Sequence, residues 1–195
     1  MNGMMIKLPE EFKLLRQETQ KDELFPDHAN IYAYRTANTE AFAIAGRIEQ
    51  QNAKLFDDVE AVKNGLTSLL KENEGFIKVN SGITANGERY SYYIKKHVVA
   101  EGSLKNRTLY VSYTNIEIDD TIWLVEFCFY ETGEIGFREH FVKKVFNTWY
   151  EDPRELMFGK GIPMDISEQE YYDDIFPEHP LSELRRFLKH MVENN

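Results

Sequence analysis

The spacing of apolar and polar positions changes along the chain, and each change marks an element. Residues 31–36 (Ile-Tyr-Ala-Tyr-Arg-Thr) and 41–48 (Ala-Phe-Ala-Ile-Ala-Gly-Arg-Ile) alternate with period two around Ala37-Asn38-Thr39-Glu40, which predicts a β-hairpin. From Asp57 to Leu70 the period lengthens. Val59, Val62, Leu66, Leu69 and Leu70 recur at three and four and predict a helix, with Asp57 placed to cap it and Glu60 to answer. Asn73-Glu-Gly75 supplies the stop. Four strand-like runs follow: Phe76–Thr84, Arg89–Val98, Arg107–Glu117 and Thr121–Tyr130. Asn86-Gly87, Glu101-Gly102 and Asp119-Asp120 separate them, and Thr132-Gly133 closes the last. A second helix is expected from Phe137 to Tyr150, where Phe137, Phe141, Val142, Val145, Phe146 and Trp149 share one side.

Strand faces extend the reading to architecture. In Arg107–Glu117, Leu109, Val111 and Tyr113 alternate with Thr108, Ser112 and Thr114, so one face is mostly polar, Tyr110 excepted. In Thr121–Tyr130 both faces are apolar: Ile122, Leu124 and Cys128 on one, Trp123, Val125, Phe127 and Phe129 on the other. A strand apolar on both sides is covered on both sides. The expected fold is therefore α+β: an antiparallel sheet with helices on both faces, a ββαββββα sandwich over residues 1–150.

Composition changes at that boundary. The 195 residues carry 23 Lys+Arg against 33 Asp+Glu, a formal charge of -10. Residues 151–195 hold 11 acids and 5 basic residues, net -6, which leaves -4 for the first 150. This acidic extension contains the run Ser167-Glu-Gln-Glu-Tyr-Tyr-Asp-Asp174 and ends in an amphipathic helix, 181–192, striped by Leu181, Leu184, Leu188 and Met191 with Phe187 alongside. So acidic a chain is repelled by nucleic acid and by anionic membrane. The start, Met1 to Pro9, has a short apolar stretch broken by Lys7 and Pro9, unlike a secretory signal, and the expected location is cytoplasmic.

The Leu8-Pro9-Glu10-Glu11-Phe12 opening, the Ile31–Ile48 hairpin, the Asp57–Leu70 helix, the Gly82…Gly87-Glu-Arg-Tyr90 turn into strand, and Gly133 before Phe137–Trp149 together resemble the PsbP/Mog-like fold. Within it the chain is most similar to the bacterial DcrB-like branch, whose members include small chaperones for secreted toxins. The resemblance spans residues 5–150 and is one of pattern, without a diagnostic motif; the acidic extension departs from it. It implies a non-catalytic protein that binds other proteins, and carries over no site residue.

Candidate chemistry is sparse. Cys128, the single cysteine, lies between Phe127 and Phe129, where it reads as a small core hydrophobe. No G-x-S-x-G or H-E-x-x-H occurs, and the five histidines, His28, His97, His140, His179 and His190, are scattered. Gly159-Lys160-Gly161 reads as a turn, and Asp119-Asp120 and Asp173-Asp174 as solvated acids. No catalytic residue, metal ligand or cofactor is assigned. Tyr90, Tyr92, Tyr93, Tyr110 and Tyr113 form either core or an interface-like surface. The stripe of the last helix must be buried on its own domain, on a second copy, or on a client.

The expected function is accordingly a non-enzymatic protein-binding module, a chaperone or adaptor for a secreted or large partner. The expected contacts are Leu181, Leu184, Phe187, Leu188 and Met191 of the helix, Glu168, Glu170, Asp173 and Asp174 of the acidic run, and Tyr90 and Tyr92. Two alternatives stand beside it: an immunity or inhibitor protein acting through its acidic tail, and a small-molecule binder or enzyme using the sheet face.

Overall fold

Alternation becomes strand wherever it was expected, and one further strand joins. The computed structural model describes residues 6–18, 29–36, 39–48, 56, 58–102, 105, 107–132, 170, 173–174 and 177–195. Its strands are β1 (Lys13–Glu18), β2 (Ala29–Arg35), β3 (Thr39–Ile48), β4 (Glu74–Ile83), β5 (Arg89–Val98), β6 (Thr108–Ile118) and β7 (Thr121–Glu131). All pair antiparallel in one sheet ordered β1-β2-β3-β7-β6-β5-β4. Helix α1 (Val59–Ser68) lies in the connection from β3 to the far edge, and the β4–β7 meander then returns to seat β7 beside β3. A second described helix, α2, runs from Pro180 to Asn194. The chain is thus α+β on an antiparallel sheet. The helix expected at 137–150 lies outside the described residues.

Two local details differ from expectation. The cap of α1 is Asp58, whose Oδ1 accepts from the Ala61 amide at 2.9 Å, because that side chain stands three residues before an amide lacking a helical partner. Strand β1 was unforeseen: Lys-Leu-Leu-Arg-Gln-Glu has no alternation to announce it.

The first face of the sheet builds the main core. Ala41, Ala43 and Ala45 of β3 stand opposite Phe129, Phe127 and Val125 of β7, and Tyr110, Ser112 and Thr114 of β6 flank β7 on its other side. Small side chains beside a bulky central strand leave room for a helix to approach. Helix α2 fills it with Leu181, Leu184, Phe187, Leu188 and Met191, all but fully buried. The polar face of β6 is therefore the covered one, and the Ser112 and Thr114 hydroxyls lie buried without a hydrogen-bond partner.

Both ends of α2 are fastened. His179 Nδ1 accepts from the Leu181 amide at 3.2 Å, and Pro180 occupies the first helical position, where no amide is needed. At the other end Asn195 Oδ1 accepts from the Lys7 amide at 2.6 Å while its Nδ2 donates to the carbonyls of Lys7 and Met191. The β4–β5 turn joins this end through Ala85 N–H to the Val192 carbonyl at 3.0 Å.

The second face carries a smaller core of Ala29, Ile48, Ile122 and Leu124, with Ile44, Phe56 and Tyr113 packed against it. Both edge strands have a register shift and a lysine: β1 between Leu14 and Arg16 beside Lys13, β4 between Phe76 and Lys78. Such bulges and charges discourage edge-to-edge pairing of sheets, which matters for any dimer. The β6–β7 hairpin turns on Asp119 (φ 49) and Asp120 (φ 59), both left-handed, a conformation aspartate tolerates better than most residues.

Candidate functional site

The five apolar helix residues proposed as partner contacts lie in the core of this chain. Phe187 shows how fully: its ring centroid is 5.1 Å from Phe12, 5.3 Å from Tyr34 and 5.5 Å from Phe129. In this fold their surface is spent on the sheet.

The tyrosines divide between the faces by strand parity. Tyr90, Tyr92 and Tyr110 belong to the α2 side, Tyr93 and Tyr113 to the other. Tyr90 and Tyr92 stack at 6.2 Å, and Asn80 Nδ2 donates to both hydroxyls at 3.4 Å. Gly82 makes room for this arrangement: a Cβ there would stand 3.1 Å from the Tyr90 ring. Tyr90 is almost buried and Tyr92 half-buried, so the pair forms the flank of the core near β4.

Beside that flank two acids of the extension meet cations. Glu170 accepts a short hydrogen bond from Lys78 Nζ, across 92 residues of sequence. Asp173 Oδ1 accepts from Ser182 Oγ at 3.0 Å and from Arg185 Nη1 at 2.9 Å. Lys78 holds the Glu170 carboxyl below its ordinary value, and Glu170 in turn raises Lys78. Asp173 is shifted upward because burial outweighs the favourable contacts with Arg185 and Ser182. Exposed pairs such as Lys78–Glu170 contribute only about 0–1 kcal/mol each. Their effect is positional: residues 170 and 173 are tied to β4 and to α2. Asp174 faces solvent, and Glu168 lies outside the described residues.

The opposite face holds a different polar group. Cys128 Sγ donates to Glu126 Oε1 at 3.5 Å, and Tyr93 stacks on Tyr113 at 5.0 Å. Burial first, then the Glu126 charge, raises the Cys128 thiol and the Tyr113 hydroxyl, and Tyr93 is pushed up to about 12 for the same two reasons. A thiol raised in this way stays protonated at neutral pH and is a poor nucleophile. Nearby, Lys95 Nζ lies 3.0 Å from Glu74 Oε1 and holds that carboxyl low.

Lys78, Ser182 and Arg185 were not foreseen as part of the site. Nothing local singles them out; an acidic run needing counter-charges was the available signal, without saying which cations answer. No protein-family model and no curated protein matches the chain. Among the described residues no group of three or more histidine, cysteine or acidic side chains could hold a metal ion, and no helix is long and apolar enough to cross a membrane.

Proposed function

We propose that the protein is a non-enzymatic protein-binding module, a chaperone or adaptor for a larger partner, and that its acidic segment is the docking element. The observation that carries this reading is the double tether of that segment, Glu170 to Lys78 and Asp173 to Ser182 and Arg185. With residues 170 and 173 tied down, the exposed Asp174 beside them is held at a defined place, and negative charge so placed speeds and orients association with a basic surface. The order hairpin, helix, four-stranded meander supports the DcrB-like chaperone reading, since that resemblance rests on it. The same tether suits the inhibitor reading, in which the acids enter a basic active site.

We also infer the two-sided sandwich, an antiparallel sheet with helices on both faces. Its support is that Val111, Ile122 and Leu124 on that face are buried, while α1 has no buried residue of its own.

Affinity purification from source cells identifies the partner, and its association rate is then measured against salt. Glu168→Gln with Asp174→Asn should slow association at low salt and flatten the salt dependence while leaving the unfolding midpoint unchanged. An unchanged association rate at low salt would remove the acidic segment from the account.

A further inference from the structure

The first turn of α2 buries a carboxyl group that no ion pair among the described residues explains. Glu183 is 6% exposed and Thr39, which it faces, is 0% exposed. Glu183 Oε1 accepts from the Tyr34 hydroxyl at 3.0 Å, while Oε2 is buried with no hydrogen-bond partner. The Thr39 Oγ1 beside it is likewise buried and unpartnered. Three elements therefore converge on one carboxyl: β2 through Tyr34, β3 through Thr39, and α2 itself.

The surrounding charges do not neutralise it. Arg186, one turn on, is turned outward, pairs with Glu11 Oε1 at 2.7 Å and lies over the Phe187 ring at 4.2 Å. Glu178, before the helix, adds negative charge, and Glu11 adds more at Tyr34. On the sheet, Glu131 of β7 is the register partner of Thr39 and accepts from the Thr108 amide at 3.4 Å. An ionised Glu183 thus sits among acids, with Arg186 engaged by Glu11. The Tyr34 and Thr39 hydroxyls can donate to the ionised carboxyl but bring no counter-charge; protonation removes that buried charge, with Oε2 then donating to the Thr39 oxygen while Oε1 still accepts from Tyr34.

We propose that Glu183 is a proton-operated latch: taking up one proton at its carboxyl tightens the first turn of α2 against β2 and β3. The inference is independent of what the protein binds. Burial is also the largest influence on the carboxyl and raises it from its ordinary 4.5, against the smaller lowering effects of Thr39, Tyr34 and Arg186. A group raised on folding binds more protons folded than unfolded, so its contribution to stability is present at low pH and is lost as pH rises through the folded value. Glu11, Glu74 and Glu170 are lowered and act in the opposite sense, but below 4.5. Among the described residues the raised carboxyls are Glu183, from 4.5, and Asp173, from 3.8.

Urea unfolding from about pH 5 to 8 on the wild-type chain and on Glu183→Gln tests the latch. The wild-type unfolding constant should rise with pH relative to that of the variant, by at most about tenfold per unit for a single proton. Groups common to the two proteins cancel in the comparison. Amide protection over Leu181–Leu184, corrected for intrinsic exchange, should fall as pH rises in the wild type only. Should the variant fail to fold, the wild-type Glu183 carboxyl is titrated by carbon-detected NMR, and Tyr34→Phe should move its midpoint further up. A wild-type-to-variant ratio constant across this range, or a carboxyl midpoint at or below 4.5, overturns the proposal.

Discussion

Leu184→Asp is expected to abolish cooperative unfolding by removing the folded state. Leu184 is fully buried in the core that α2 shares with β3, β6 and β7. Deleting a buried leucine side chain alone costs about 2–5 kcal/mol. An unpaired carboxylate adds several kcal/mol of desolvation, since the positions around it on the covered face are alanine, phenylalanine and unpartnered hydroxyls. Ordinary domains have about 5–15 kcal/mol in total. The combined loss consumes most or all of that, and circular dichroism in the absence of denaturant should already show a disordered chain. Had the helix stripe been an exposed docking surface, the same change would leave folding intact.

Phe187→Ala should leave the protein folded but cost about 3–5 kcal/mol, read as a shift of the urea midpoint with little change in slope. The ring lies at the meeting point of Phe12 from the amino-terminal segment, Tyr34 from β2 and Phe129 from β7. Its truncation therefore opens a cavity bounded by three separate parts of the chain, which cannot collapse together without moving α2. Arg186 also loses the ring over which it lies. A loss below about 1 kcal/mol would mean that α2 packs less intimately than described.

The strands were legible because most are half-buried, and half-burial writes itself as alternation. Arg89–Val98 coincides with β5, and the periodic segment 181–192 falls inside α2. Strand β1 was not legible, because a short edge strand with a bulge has no need of a regular pattern. The seat of α2 was beyond local reading too. It depends on Ala41, Ala43 and Ala45 lying opposite Phe129, Phe127 and Val125, a register between strands more than 70 residues apart in sequence. The acids were visible as composition, but the partners that tether them were not: Lys78 is 92 residues from Glu170. Tyrosine clustering was likewise visible, whereas its division between two faces followed only from strand parity in the assembled sheet.

These contacts assign the apolar stripe of α2 to the core. The direct measurement is the amide NMR spectrum of the chain cut before residue 178. With α2 essential to the main core, its removal uncovers Phe127, Phe129 and the alanine row, and the spectrum should collapse to the narrow dispersion of an unfolded or molten chain. A well-dispersed spectrum from the shortened chain, with a cooperative urea transition, would contradict the account.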